Sequence, residues 1–164
     1  MILVTVGSSS YPFDRLLSAV AALPRGDDEL VVQHGPSLVR PAAARCIDFL
    51  PFEELSALVR EARLVVTHGG VGSILLALSG GKKPLVVPRR RAFGETVDDH
   101  QLESVRRFGR DGLVTVVEDP AGLEAALAVA PASRGAAPPP REVPLVRELR
   151  DYLRATIGPP EAQT

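Results

Sequence analysis

Cysteine is nearly missing from this chain. Cys46 is the only one in 164 residues, so no internal disulfide can form and no cysteine cluster is at hand for a metal. It sits in the apolar stretch RCIDFL and reads as a small core residue. Net charge is missing too, at −1 from 19 Lys+Arg and 20 Asp+Glu. Such a balance gives no global field to recruit nucleic acid or a membrane surface. Lysine is confined to Lys82 and Lys83, so arginine carries nearly all the positive charge. No apolar run approaches the roughly 20 residues that cross a bilayer. The opening MILVTVG is too short for a signal-peptide core and lacks a basic leader. The expectation is a cytoplasmic protein, with membrane contact only peripheral, at the inner face, through a partner.

What is present is ordinary globular material, 45% hydrophobic and 24% charged. A chain of this length buries roughly 70% of its unfolded surface and needs no staples. Short continuous apolar runs alternate with helical spacing. Runs at 2–6, 29–33, 45–50, 64–67, 84–88 and 113–117 predict six strands. Apolar residues three and four apart predict helices over 12–23, 52–61, 71–79, 97–108 and 120–129, with Pro51 opening the second. This alternation implies an α/β, doubly wound parallel sheet of Rossmann-like type with right-handed crossovers, over residues 1–130. PASRGAAPPP (131–140) reads as a linker. Val143, Val146, Leu149, Tyr152 and Leu153 predict a final helix over 141–157 that lies back on the same domain, and 158–164 reads as a disordered tail.

In an open parallel sheet, ligands collect at the carboxyl ends of the strands. Polar and glycine-rich insertions fall there four times: GSSS (7–10), QHG (33–35), THGGVGS (67–73) and PRRRAFGETVDDHQ (88–101). The third is the most specific. Gly69 and Gly70 let the backbone approach a ligand where any Cβ would collide. Gly72 and Ser73 begin a helix whose free N–H groups and positive dipole end favour an anion, and a diphosphate fits. Ser73 caps that helix, donates to a phosphate oxygen, or does both. His68 stands at the turn. Protonated, it would neutralise a phosphate oxygen; neutral, it would hydrogen-bond to one or act as a base. His100 and Gln101, at the start of a later helix, reach for sugar hydroxyls. Arg89, Arg90 and Arg91 with Lys82 and Lys83 form a local basic patch, read as solvated surface or as a site for an anionic headgroup or diphosphate.

Better-known chemistries do not fit. Leu75 stands where a dinucleotide fingerprint needs its third glycine. GGKKP (80–84) has Lys83 where a Walker loop needs Ser or Thr, and it precedes a strand. There is no Gly-x-Ser-x-Gly elbow, and the histidines are not at zinc-ligand spacing.

Taken together, VTVG, QHG, THGGVGSILLAL, GKKPLVVPR and FGETVDDHQLE resemble the C-terminal, donor-binding half of family 28 glycosyltransferases. The likeness extends over about residues 1–117 and is strongest to stand-alone subunits of split UDP-sugar transferases. It implies one lobe of a GT-B enzyme, a UDP-sugar donor at the strand ends, and neither metal nor other cofactor there. It places Gly7 and Ser8 against the diphosphate from the first strand, and His68, Gly69, Gly70, Gly72 and Ser73 against it from the fourth. It gives the segment around Phe52 to the uracil, and His100 and Gln101 to the sugar. It implies inverting hexosyl transfer to a lipid-linked or glycan acceptor, with a membrane-anchored acceptor-binding subunit as partner. His68 is the local candidate for the base. One departure stands out: the family usually has a ribose-binding glutamate where this chain has Leu76. The alternative reading is therefore a non-catalytic module that binds a nucleotide sugar or regulates a partner.

Overall fold

The computed structural model describes residues 1–24 and 26–130; the linker, final helix and tail expected beyond 130 lie outside the described residues. Among the described residues, six strands and five α-helices follow one another: β1 (Ile2–Thr5), α1 (Asp14–Ala21), β2 (Leu30–Gln33), β3 (Arg45–Ile47), α2 (Phe52–Glu61), β4 (Leu64–His68), α3 (Val71–Ser79), β5 (Leu85–Val87), α4 (His100–Arg110), β6 (Thr115–Val116) and α5 (Leu123–Val129). All pairings are parallel, in the order β3-β2-β1-β4-β5-β6. The order reverses at β1, which pairs β2 on one side and β4 on the other. This is the doubly wound, Rossmann-like sheet that the alternating pattern predicts, and its crevice lies at that reversal.

Strand residues alternate between two buried faces. Ile2, Val4, Leu30, Val32, Leu64, Val66, Leu85 and Val87 face α1 and α5, meeting Phe13, Leu16, Leu17, Val20 and Leu123. On the other face, Leu3, Val31 and Val65 meet Val59, Ala62 and Ala77 from α2 and α3. Val86 meets Ile74 and Leu78 of α3, and Val105 and Phe108 of α4. Each fully buried Val or Leu contributes roughly 1.5–3 kcal/mol, so helices on both faces hold this short-stranded sheet together.

Several ends are shorter than the apolar runs predict. α1 stops at Ala21 because Ala22 and Leu23 turn their N–H groups to Ala19 and Val20, tightening the last turn before Pro24. β3 stops at Ile47, though Gly35 N–H still reaches the Asp48 carbonyl at 3.0 Å. β6 is only two residues, at the sheet edge. α4 begins at His100 rather than 97 and runs on to Arg110. Among the described residues, no helix is long and apolar enough to cross a membrane.

Candidate functional site

The loops that follow β1, β4 and β5 meet at the carboxyl edge of the sheet, because β4 lies between the other two strands. His68 ends β4, and its side chain is folded into the edge, leaving the residue 9% exposed. The ring occupies a slot made by two glycines. A Cβ on Gly7 would lie 2.3 Å from His68 Cε1, and one on Gly70 would lie 2.2 Å from His68 Nε2. Gly7 also has a φ of +75°, which an L side chain rarely adopts. These two glycines therefore make room for an imidazole within the protein itself.

Gly7 is held from below. Its N–H is shared between Thr5 Oγ1 (3.2 Å) and Gln33 Oε1 (3.1 Å), and its carbonyl accepts from Gln33 Nε2 at 3.1 Å. Gln33 Nε2 also donates to the Asp48 carbonyl at 3.0 Å, tying the loops after β1, β2 and β3 together. The Gly7 amide is thus engaged internally; Ser8, next in the chain, is exposed. His34, likewise buried, spans the Gly35 carbonyl (2.7 Å from Nδ1) and Asp48 Oδ1 (2.6 Å from Nε2).

Burial pushes the His68 pKa from its ordinary 6.5 down to about 4, and the nearby Arg89 charge adds to this, against a hydrogen bond to the Thr5 backbone. The imidazole is uncharged near neutral pH, which favours the neutral form among the two that the sequence leaves open for His68. The turn beyond it opens α3. Gly70 is the N-cap, and the first intrahelical bond runs from Ile74 N–H to the Gly70 carbonyl at 3.1 Å. The amides of Val71, Gly72 and Ser73 therefore have no intrahelical acceptor. The helix spans Val71–Ser79, as the apolar spacing predicts, and no side chain caps it, so Ser73 is not the cap. A Cβ on Gly72 would meet nothing within 4 Å: this position opens to solvent.

Gln101, in the first turn of α4, packs on the other side. A Cβ on Gly69 would lie 2.8 Å from Val105 Cγ2 and 3.5 Å from Gln101 Oε1. Gln101 Oε1 is buried and has no hydrogen-bond partner among the described residues. His100 opens the same helix. Phe52 opens α2 at the end of the β3 segment and is exposed. All ten expected positions thus lie at the carboxyl edge. Gly7, His68, Gly69, Gly70 and Gln101 are joined by the contacts above, whereas Phe52 stands across β2 and β3.

Two expectations change here. The basic patch is dispersed: Arg89 and Lys82 are buried, Arg90 pairs with Glu118, and Arg91 is exposed. Leu76 packs against the cluster of Leu3, Val31 and Val59, so its side chain serves the core on the α2 side. Sequence reasoning missed Gln33 and Glu95 as builders of this edge. The signal for Gln33 was available, a polar residue closing an apolar strand. Glu95 carried none, because a charged residue in a loop is usually solvated.

The geometry has relatives. Residues 1–134 match the glycosyltransferase family 28 C-terminal domain. The chain is 29% identical over 134 residues to aclacinomycin-T 2-deoxy-L-fucose transferase of Streptomyces galilaeus, covering 72% of this chain and 29% of that protein. It is 29% identical over 123 residues to the UDP-N-acetylglucosamine transferase subunit ALG13 of Homo sapiens, covering 68% of this chain and 10% of that one. It therefore spans less than a third of either relative. Among solved structures, the ALG13 solution structure is similar in fold at a TM-score of 0.60 and 20% identity, covering 95% of this chain and 96% of that chain. The calicheamicin glycosyltransferase CalG4 is similar at 0.56 and 20% identity, covering 96% of this chain and 44% of that chain. With the family match extending over most of its length, this chain belongs to glycosyltransferase family 28, as a C-terminal domain of that family.

Proposed function

We propose that this domain binds the UDP-sugar donor of an inverting, GT-B-type hexosyltransferase and works with a membrane-anchored, acceptor-binding partner. The observation that carries the reading is the start of α3, where three amides without intrahelical acceptors flank an open Gly72 beside an uncharged imidazole. An anionic diphosphate is the ligand that such a helix end favours. Gln101 Oε1, buried without a partner among the described residues, gains one when its side chain turns out to a sugar hydroxyl. Exposed Phe52 is the surface for a uracil.

In this reading an acceptor oxygen attacks the anomeric carbon, the bond from that carbon to the UDP oxygen breaks, and charge builds on the leaving diphosphate. The amides of Val71, Gly72 and Ser73 stabilise that charge without reorganising, the effect that usually contributes most. Gly7 and Ser8 border the diphosphate from β1; Gly7 does so by making room for His68, since its own amide is engaged. Gly69 and Gly70 shape the turn from within, making room for Val105 and for His68. The acceptor proton goes to His68, whose basicity rises when a bound diphosphate places negative charge beside it, or to a group on the partner. The acceptor is a lipid-linked sugar or another glycan, and the partner holds the domain at the inner face of the membrane. The ALG13 and fucose transferase likenesses support sugar transfer.

Titration calorimetry with UDP, GDP, ADP and dTDP tests the donor class. UDP binding with little heat from the others is expected; equal binding of all four, or of none, would sink the reading. The packed Leu76 favours a second reading, a binding module without turnover. UDP binding with no transfer, even in the presence of the cognate membrane subunit, would select it.

A further inference from the structure

A guanidinium without solvent lies next to the turn. Arg89 follows β5 and is 1% exposed. Nη1 donates to the carbonyls of Tyr11 (3.0 Å), Pro12 (3.2 Å) and Glu95 (3.0 Å), and Nη2 donates to the Val6 carbonyl at 2.9 Å. Its Cζ stands 4.6 Å from the centre of the Phe13 ring. Nε is buried with no partner among the described residues. The Glu95 carboxylate does not bond to Arg89. It takes Arg15 Nε and Nη2, both at 2.8 Å, and the Arg90 N–H at 2.9 Å.

A buried cation is costly unless it is well bonded, and an apolar side chain of similar size often serves a core as well. The acceptors show what this one does. All four are carbonyls, three on the segment after β1 and one on the loop after β5. In the sheet, β1 and β5 are the two neighbours of β4. Arg89 therefore bridges the loops on either side of the β4–α3 turn. Its bond to Val6 lies one residue before Gly7, the wall of the His68 slot. Arg15 braces the second loop from outside, through Glu95 and through the Pro88 carbonyl at 3.1 Å.

We propose that Arg89 is a positioning residue for the donor diphosphate, fixing the two loops between which the β4–α3 turn presents its amides. The proposal rests on reading that turn as the diphosphate site. It touches no phosphate itself and acts through the backbone of residues 6–12 and 95. Lysine is a poor substitute, because an ammonium offers its donors from one atom and cannot serve Val6 together with the carbonyls of Tyr11, Pro12 and Glu95.

Comparing UDP with uridine in Arg89→Met and Arg89→Lys tests it. UDP should bind at least tenfold more weakly to Arg89→Met, with uridine within about twofold of wild type and Arg89→Lys in between. General loosening of the fold would weaken both ligands alike, and that result, or unchanged UDP affinity in a folded variant, overturns the proposal. Should Arg89→Met fail to fold, Arg89→Lys carries the same comparison. Amide hydrogen exchange, measured without nucleotide, should quicken in both variants at 7–11 and 90–95 together; unchanged exchange there overturns the bridge. If the wild-type chain binds neither UDP nor uridine, the donor reading itself fails. That outcome differs from a failure of Arg89, in which wild type and variants bind UDP alike.

Discussion

The two edges of this sheet are built on opposite principles. At the amino edge the polar groups pair with one another. The Asp28 carboxylate takes Arg63 Nε at 2.9 and 3.0 Å, an Arg63 Nη2 bond, and the N-terminal ammonium at 3.4 Å. The Arg63 bonds hold the Asp28 carboxyl below its ordinary range and raise Arg63. Arg63 N–H then closes on the Met1 carbonyl at 3.0 Å. At the carboxyl edge the strongest donors are turned inward onto loop carbonyls, an imidazole is buried uncharged, and helix amides are left bare. The first edge is satisfied as it stands. The second is held rigid but left incomplete, which is what a binding site requires.

The sharpest way to break this contrast is Gly7→Ala. It combines a positive φ with a Cβ inside the His68 ring. A loss of about 2–4 kcal/mol is expected, read as a lower urea midpoint, together with loss of UDP binding. A midpoint unchanged within error would mean that the ring is free to leave its slot.

Acidity gives the next effect. The folded pKa of His68, about 4, lies below its ordinary 6.5, so the unfolded chain binds more protons between those values. Stability therefore falls as pH drops from 6.5 towards 4, by about 3 kcal/mol, and is level above. The lowered carboxyls of Asp28 and Glu118 share this sign, but their contributions fade only below their ordinary values of 3.8 and 4.5. The window from 4.5 to 6.5 belongs mainly to His68. Urea titrations across it should slope in the wild type and be flat in His68→Gln; parallel slopes would refute the assignment.

Asp28→Asn attacks the other edge. The pair is partly exposed, so a loss of about 1 kcal/mol or less is expected, with UDP affinity untouched. A change in UDP affinity would mean that the two edges communicate. Gly72→Ala should disturb the fold least, because its Cβ meets nothing. Stability should hold or rise by about 0.5 kcal/mol, while UDP binding falls at least tenfold. Retained binding would show that the open space is not where the phosphate sits.

The layered architecture was legible because buried parallel strands read as continuous apolar runs, and the gathering of the candidate residues at the carboxyl edge because glycines and polar residues follow those runs. What was not legible has a common cause. Arg89 stands in an arginine triplet, and such side chains are mostly solvated; only the strand order reveals that carbonyls from both sides converge on it. His68 was visible, but its charge depends on burial between two glycines distant in the chain. Leu76 was visible as a departure, but its packing against Leu3 and Val59 required the α2 layer. Ends of elements were misjudged where a backbone turn, not the apolar pattern, decides them, as at Ala22 and Asp48.

The adjacency of β1 and β4 has a further consequence. In the chain, α1, β2, β3 and α2 lie between them, so the slot for His68 exists only once a contact between distant parts of the chain has been made. A nucleotide bound as proposed would have little to grip before that contact is made. It would act as a lock on the finished sheet rather than as a template, slowing unfolding while leaving the rate of folding unchanged.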